Sequence, residues 1–382
     1  MKTILTIVGA RPQIIKAAAI SRAIAGTFKD VLREIIVHTG QHYDENMSEV
    51  FFRELGIPQP DFNLHSGSGK HGAQTADMML GLEKIFLETR PNCVLVYGDT
   101  NSTLAAAIVA TKLHIPLVHV EAGLRSFNKK MPEEINRILC DHCSTLLFSP
   151  TVKGMANLER EGFSLHNDKP YSADAPGVFH CGDVMFDNSV HFAALAEERS
   201  DVLKRTELQA GQFILATIHR DHNTDIASRM NAIFSALLSL VEDNNLHLVL
   251  PLHPRTRKMM ELNLDSGIKN SYSNHSHISI IPPVSFLDMI CLEKNSQFVI
   301  TDSGGVQKEA YFFRKPCIIL RKETEWVELV ENGNAVLADA SPQKILDAFI
   351  HFSTSQNLTW PEIFGNGKAS EFICATIEQH IR

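Results

Sequence analysis

The sequence has no apolar run long enough to cross a bilayer and no stripe of basic residues. Its 382 residues carry a formal net charge of -8, which argues against nucleic acid as a partner. The first residues, Met1–Gly9, lack the long apolar core and the cleavage site of a secretory signal peptide. We therefore expect a cytoplasmic protein with neither a membrane nor a nucleic-acid partner.

No paired metal-binding motif accompanies the seven cysteines. Cys140 and Cys143 have the spacing of half a zinc site, but no second CxxC and no HxxxH follows them. The number is odd, and most of the cysteines lie within apolar runs. We therefore expect reduced thiols in the core and predict no metal site.

Strand-like apolar runs alternate with helical patterns along the whole chain, and no short repeat or low-complexity tract interrupts them. This alternation predicts parallel sheets with helices on both faces. The predicted strands are Lys2–Val8, Glu34–His38, Cys93–Tyr97, Ile115–Val120, Thr145–Phe148, Phe213–Thr217, His247–Leu250, Ile278–Ile281, Gln297–Ile300, Cys317–Arg321 and Val336–Leu337. The length favours two domains, each with its own core.

One polar segment divides the two series of strands. Residues Ser164–Pro176 are rich in proline, aspartate and serine and show no periodicity, which is typical of an inter-domain region. We therefore predict one doubly wound domain over residues 1–172 and a second over residues 173–365. Residues Lys368–Arg382 follow with a helical pattern.

The stretch Thr301–Ala310 combines the end of a strand, two glycines and the start of a helix. Gly304 and Gly305 have no Cβ, so their N–H groups can approach a ligand closely, and the helix start is positively polarised. These properties suit a phosphate or diphosphate. Glu309 lies about one turn further on, where a carboxylate can accept ribose hydroxyls. The alternative is an ordinary helix N-cap by Asp302 or Ser303.

Charged side chains follow several other predicted strands. Asp99 and Glu121 come directly after two of them, and Arg11 and Lys16 lie in the first predicted helix. Because ligands of parallel sheets bind at the carboxyl ends of the strands, we expect these groups near a site. Isolated acids at such positions also serve as caps and dipole partners, as Glu133 would at the start of its helix.

Five motifs occur in a fixed order along the chain. They are Gly9-Ala10-Arg11-Pro12, Gly98-Asp99-Thr100, His119-Val120-Glu121-Ala122-Gly123-Leu124-Arg125, Pro132-Glu133-Glu134-Ile135-Asn136-Arg137 and Asp302-Ser303-Gly304-Gly305-Val306-Gln307-Lys308-Glu309. Each motif is weak by itself, but the combination is specific. With these motifs, the chain resembles the non-hydrolysing UDP-N-acetylglucosamine 2-epimerase family over essentially its whole length.

This resemblance implies inversion at C2 of a UDP-linked 2-acetamido sugar, with no metal and no nicotinamide cofactor. In the family, a base removes the C2 proton as UDP leaves. UDP then adds back to the 2-acetamidoglucal while a proton reaches the opposite face. The resemblance also implies a glycosyltransferase-B type α/β fold, with two Rossmann-like domains facing a cleft. The C-terminal helix, residues 366–382, would pack on the first domain, and the protein would be a homodimer.

The resemblance, together with the residue types and their positions, predicts which residues act. The catalytic residues would be Asp99, Glu121, Glu133 and His219. The substrate-binding residues would be Arg11, Lys16, Arg137, His253, Phe286, Ser303, Gly304, Gly305, Glu309, Arg321 and Glu325. Structural alternatives stay open, such as a core aromatic for Phe286 and an ion-pair partner on one helix face for Arg137. The sequence does not decide which acid removes the proton and which returns it.

Two differences from the best-known branch of the family bear on which sugar is the substrate. Gln41 matches one glutamine of a regulatory substrate site found in the best-known branch, but Asp44 stands where a second glutamine is expected. The loop before Pro132 is also short, and both features resemble a subgroup acting on UDP-2,3-diacetamido-2,3-dideoxyglucuronate. A uronate needs a positive partner, for which Lys129 or Lys130 is a candidate. We keep both UDP-sugars as candidate substrates.

Three other functions compete with this prediction. A hydrolysing relative would release the free mannosamine sugar and UDP, using the same acids with water as the attacking group. A retaining glycosyltransferase would need an acceptor groove, of which the sequence shows no mark. A nucleotide-sugar sensor would not need Asp99, Glu121 and Glu133 together.

Overall fold

The computed structural model of the chain describes residues 1–40, 56–244, 246–355 and 358–381. Gln41 and Asp44, the two positions that bear on a regulatory site, lie outside these ranges. The chain forms two compact units. Unit 1 contains Met1–Asn188 and Glu362–Arg382, and unit 2 contains Ser189–Pro361.

Unit 1 is built on a parallel sheet with the strand order β3-β2-β1-β4-β5-β6-β7. Its strands are β1 (Lys2–Val8), β2 (Leu32–His38), β3 (Phe62–Asn63), β4 (Cys93–Tyr97), β5 (Leu117–Val120), β6 (Leu146–Ser149) and β7 (Gly177–His180). All five residues of β4 are buried, as expected of a central strand that is covered on both faces.

The helices of unit 1 fill the connections between these strands. They are α1 (Arg11–Ala25), α2 (His71–Thr89), α3 (Asn101–Lys112), α4 (Pro132–Cys143), α5 (Val152–Arg160), the first residues of α6 (Val184–Arg199) and, at the C-terminal end, α16 (Ala369–His380). One core cluster contains Leu5 of β1, Val94 of β4, Phe86 of α2 and Ala106 of α3. The parallel α/β architecture predicted from the alternating pattern is confirmed.

The polar segment predicted to lie between two domains belongs to unit 1. The reason is β7, which directly follows this segment and pairs in parallel with β6, from Leu146↔Gly177 to Ser149↔His180. The chain enters unit 2 only within α6 and leaves it at Pro361. The boundaries of the compact units therefore differ from those placed after residues 172 and 365.

Unit 2 contains a second parallel sheet, with the strand order β10-β9-β8-β11-β12-β13. Its strands are β8 (Phe213–Thr217), β9 (His247–Pro251), β10 (Ile278–Ile281), β11 (Phe298–Thr301), β12 (Cys317–Ile319) and β13 (Ala335–Leu337). The core of this unit includes Ile214, Leu250, Ile300, Phe234 and Phe349.

Helices again connect the strands of unit 2. After the remainder of α6 they are α7 (Val202–Arg205), α8 (Asp221–Thr224), α9 (Ala227–Asn244), α10 (Pro254–Asn263), α11 (Ser266–Asn274), α12 (Phe286–Asn295), α13 (Gly304–Phe312), α14 (Val327–Glu331) and α15 (Pro342–Thr354). Among the described residues, no helix is both long enough and apolar enough to cross a membrane.

The C-terminal helix α16 packs against α1 in unit 1, as predicted. The buried carboxylate of Asp187 caps its first turn. Asp187 accepts hydrogen bonds from the Ala369 N–H at 3.1 Å, the Ser370 N–H at 2.7 Å and the Ser370 hydroxyl at 2.6 Å. These bonds satisfy donors that a helix start leaves unpaired.

We expect Asp187→Ala to lower the free energy of unfolding by about 1–3 kcal/mol, because it leaves buried N–H groups without an acceptor. Urea denaturation followed by circular dichroism measures this change. The exposed Asp174 of the same unit provides the control, and Asp174→Ala should stay within about 0.5 kcal/mol of the parent protein. Equal stabilities of the two variants would contradict the capping role.

Candidate functional site

Two of the three predicted acids of unit 1 follow neighbouring strands. β4 pairs with β5 in the register Tyr97↔Val120, so Asp99 and Glu121 come just beyond the same edge of the sheet. Glu121 is buried and adopts a left-handed backbone conformation with φ of +72°. A non-glycine residue rarely adopts this conformation, and such residues concentrate at functional sites.

Two residues of α4 contact Asp99. Its carboxylate lies 2.5 Å from a guanidinium nitrogen of Arg137, and its backbone carbonyl accepts a hydrogen bond of 2.8 Å from the Asn136 side chain. Burial raises the pKa of Asp99, and nearby Glu121 and Glu133 raise it further, although Arg137 and Lys16 oppose them. A carboxyl group in such surroundings is suited to carrying a proton.

Glu121 forms an ion pair with Lys16 of α1, whose side chain is largely buried. Gly98 lies against this pair. A Cβ at Gly98 would come within 3.2 Å of a Glu121 carboxylate oxygen and 3.3 Å of the Lys16 nitrogen. Gly98 also has a φ of +61°, so a side chain there would be both strained and crowded. The turn after β4 is thus shaped to leave room for the ion pair.

The two adjacent glutamates of α4 occupy different environments. Glu133 is exposed, whereas Glu134 is buried and accepts hydrogen bonds from the Ser126 N–H at 2.9 Å and the Phe127 N–H at 2.9 Å. Burial alone would raise the pKa of Glu134, but these bonds and Arg137 lower it. Glu134 therefore fixes the loop before α4, and Glu133 is the glutamate available to a ligand.

Sequence reasoning missed two sets of buried polar contacts in this unit. His119 of β5 and Asp141 of α4 form a buried ion pair, with Nδ1 at 2.7 Å from a carboxylate oxygen. Gln13 of α1 accepts from the Gly9 N–H at 2.9 Å and donates to the Tyr97 carbonyl at 2.9 Å. The signal for His119 was present, because it is the polar residue of an otherwise apolar strand.

The remaining predicted residues of unit 1 lie at the surface. Arg11 is exposed at the first position of α1, and Lys129 and Lys130 are exposed in the turn before α4. Among the described residues, no group of three or more His, Cys, Asp or Glu side chains could hold a metal ion.

In unit 2, two glycines stand at the start of α13 where neither packing nor backbone conformation requires glycine. A Cβ at Gly304 would meet no atom closer than 3.6 Å, and one at Gly305 none closer than 3.9 Å, and neither residue has a positive φ. Glycine in a helix costs about 0.5–1 kcal/mol relative to alanine. A ligand that approaches the N–H groups of this helix start would explain both glycines.

Asp302 organises the turn beside this helix start. It is fully buried and accepts hydrogen bonds from the backbone N–H groups of His219 and Arg220, each at 3.1 Å. The His219 ring, half-exposed, lies 3.4 Å from the same carboxylate. Asp302 thereby joins the turn after β8 to the turn after β11. The Ser303 N–H donates to the Thr301 hydroxyl at 2.9 Å, and Ser303 makes no side-chain cap.

Arg321 and Glu325 form a two-pronged ion pair, with hydrogen bonds of 2.8 and 2.7 Å. Burial opposes the charge of Glu325, but Arg321 outweighs it and lowers the pKa of this carboxyl. The Trp326 indole donates a hydrogen bond of 3.0 Å to the Gly304 carbonyl. The loop that carries this ion pair is therefore fastened to the start of α13.

Glu309 lies on α13 with only 9% of its surface exposed, and its carboxylate lies 3.9 Å from the position of a Cβ at Gly305. Glu293 of α12 is fully buried. Burial and the neighbouring Glu309 raise the pKa of Glu293 well above its usual range. Glu309 is thus a carboxyl group that lies beside the start of α13.

Two predicted binding residues have structural contacts of their own. The His253 side chain accepts a hydrogen bond of 3.3 Å from the Arg255 N–H and so caps α10. Phe286 is buried, and its ring packs edge-on against Phe192 with centroids 5.2 Å apart. For Phe286 this geometry supports the alternative of a core aromatic.

A family profile described as UDP-N-acetylglucosamine 2-epimerase matches residues 27–378. A UDP-2,3-diacetamido-2,3-dideoxy-D-glucuronate 2-epimerase of Pseudomonas aeruginosa is 48% identical over 97% of this chain and 98% of its own. A UDP-N-acetylglucosamine 2-epimerase of Methanocaldococcus jannaschii is 40% identical, covering 96% of both chains.

A solved structure gives the same result for the fold. The crystal structure of a Methanocaldococcus jannaschii UDP-GlcNAc 2-epimerase, in complex with UDP-GlcNAc and UDP, matches with a TM-score of 0.82 and 38% identity. The match covers 99% of each chain. With a family profile spanning most of its length and relatives at this identity, the chain belongs to the UDP-N-acetylglucosamine 2-epimerase family.

Proposed function

We propose that the protein inverts C2 of a UDP-2-acetamido sugar without hydrolysing it. The observation that carries this proposal is the pairing in unit 1, where Asp99 and Glu121 follow adjacent strands and each has its own cation. Inversion at a carbon that bears hydrogen needs proton transfer on both faces, and two acids in different environments can divide this work.

In this mechanism a carboxylate of unit 1 removes the C2 proton while UDP leaves from C1. The intermediate is the 2-acetamidoglucal, to which UDP adds back as a second acid delivers a proton to the other face. We assign one of these proton transfers to Asp99, because its raised pKa suits a group that is protonated in part of the cycle. Glu121 and Glu133 are the candidates for the other.

We assign the nucleotide diphosphate to unit 2. The N–H groups at the start of α13 suit the diphosphate, and His219 beside them can support the negative charge of the leaving group. Glu309, one turn further on, is placed to accept hydrogen bonds from ribose hydroxyls. The proposal requires no metal or redox cofactor, and we place the enzyme in the cytoplasm as a homodimer, as the family resemblance implies.

We propose two candidate sugars as the substrate. The substrate is either UDP-N-acetylglucosamine, or UDP-2,3-diacetamido-2,3-dideoxyglucuronate, the substrate class named for the relative that is 48% identical. The second substrate carries a carboxylate that needs a cation. Lys129 and Lys130, exposed before α4 and close in sequence to Glu133, are the candidates for that cation.

Incubation with each UDP-sugar in deuterated water tests the reaction. We expect epimerisation with deuterium entering at C2, and proton NMR measures both. Asp99→Asn should lower the rate by at least about 10²-fold, the usual contribution of a general acid or base. Asp77→Asn, an exposed change on α2, is the control and should leave the rate of epimerisation unchanged. Release of free sugar, or absence of exchange with both sugars, would refute the proposal.

The double variant Lys129→Ala/Lys130→Ala tests the sugar. If the uronate is the substrate, KM for the uronate should rise roughly 10-fold, as expected when one charge-assisted contact is lost, while KM for UDP-N-acetylglucosamine stays unchanged. Steady-state kinetics with the two sugars makes the comparison. Equal kinetics of variant and parent on both sugars would exclude these lysines from recognition.

Glu309→Ala tests whether the nucleotide site also retains UDP during the reaction. We expect a larger share of 2-acetamidoglucal released per epimerisation event, because UDP held less firmly can leave before it adds back. Phosphorus and proton NMR quantify UDP, glycal and both epimers. The exposed Glu242→Ala of α9 is the matched control. Weaker substrate binding with no additional glycal would argue for a role in affinity alone.

A further inference from the structure

A buried ion pair lies between the elements that carry the three candidate acids. His119 is on β5 and Asp141 is on α4, and both side chains are completely buried. The His119 Nδ1 lies 2.7 Å from an Asp141 carboxylate oxygen. Neither residue has a part in the proposed chemistry, and a buried ion pair is by itself weak evidence of stabilisation.

Each partner reaches one of the two acid-bearing turns. The His119 Nε2 lies 2.9 Å from the carbonyl oxygen of Gly98, the residue before Asp99. The second carboxylate oxygen of Asp141 accepts a hydrogen bond of 3.1 Å from the Gly123 N–H, in the turn that begins with Glu121. Through Asp141 the pair is also continuous with α4, the helix that carries Glu133 and Arg137.

The hydrogen-bond pattern indicates the charge of this pair. A backbone carbonyl can only accept, so Nε2 of His119 must carry a proton. Asp141 accepts from the Gly123 N–H and lies 2.7 Å from an Arg125 guanidinium nitrogen, and both contacts favour the carboxylate, so we assign the second proton to Nδ1 of His119. The ring is therefore an imidazolium that donates from both nitrogens.

The surroundings agree with this assignment. Burial opposes a charge on His119, but the neighbouring Cys140 and Asp141 raise its pKa well above the usual range. Burial likewise opposes the charge of Asp141, yet His119 and Arg125 hold its pKa below the usual range. Arg125 in turn donates to Glu161 at 2.7 and 2.6 Å, so charges of opposite sign alternate from His119 through Asp141 and Arg125 to Glu161.

We propose that His119 and Asp141 are positioning residues for proton transfer, because together they set the spacing of the turns after β4 and β5 and of helix α4. This inference rests on the proposed function, since it assigns Asp99, Glu121 and Glu133 to one reaction. A displacement of about 1 Å between reacting groups can cost roughly 10²-fold in rate. The pair therefore affects turnover more than binding of the nucleotide.

His119→Phe tests the proposal, because it keeps a ring of similar size and removes both donors. We expect kcat for epimerisation and the rate of deuterium entry at C2 to fall roughly 10²-fold. The dissociation constant of UDP, which unit 2 binds in our proposal, should change less than about twofold. His119→Gln keeps one donor toward the Gly98 carbonyl and should recover part of the activity.

His142→Gln is the matched control, since His142 is exposed on α4 beside Asp141 and should leave all values unchanged. Circular dichroism shows whether each variant is folded, and the pH profile of kcat should shift in folded His119→Gln because the turn of Asp99 is altered. Nitrogen-15 NMR of the parent protein should show a doubly protonated His119 from pH 6 to 9.

The outcomes separate the two proposals. A parent protein that shows neither epimerisation nor exchange refutes the proposed function and this inference with it. An active parent with unchanged kcat in folded His119→Phe refutes the positioning role alone. Equal losses of kcat and UDP affinity would also refute it, because they indicate general loosening of the fold. A neutral His119 ring at pH 7 would refute the charged pair.

Discussion

The parallel pairing of β4 with β5 is the contact on which the candidate site of unit 1 depends. Its register ends at Tyr97↔Val120 and is extended by a hydrogen bond of 3.0 Å from the Gly98 N–H to the Val120 carbonyl. Asp99 and Glu121 are brought together because each follows its strand by a fixed number of residues. A shift of one residue in this register would turn the side chains of β5 to the opposite face and separate the pair.

Charge balance is the second constraint, because carboxylates gathered at one edge repel one another. Lys16 pairs with Glu121 and Arg137 pairs with Asp99, so each acid has a cation supplied by a different helix. The balance is incomplete at Asp99, whose pKa remains raised by burial despite Arg137. Two acids with different surroundings can hold different protonation states at one pH, which is what transfer on two faces requires.

Much of this arrangement could be predicted from sequence, since apolar strands, glycine turns and charged residues after strands are local signals. The placement of β7 could not be, because a short strand after a polar segment gives no indication of which sheet it joins. The different roles of Glu133 and Glu134 depend on contacts with Ser126 and Phe127 that neighbouring positions do not reveal. The same holds for the partner of His119, which lies 22 positions further along the chain.

The glycines of the chain show how a structural requirement differs from a functional one. A Cβ at Gly123 would lie 2.3 Å from the Gly154 carbonyl oxygen, and the φ of Gly123 is +78°, so the fold itself demands glycine there. Gly304 and Gly305 have neither property, yet both lie in the first turn of α13, where alanine would favour the helix. Helix stability argues against them and packing does not require them, whereas close approach by a ligand, as in the proposed diphosphate site, would explain them. The glycines at the start of α13 are therefore a stronger functional signal than Gly123, which the fold itself requires.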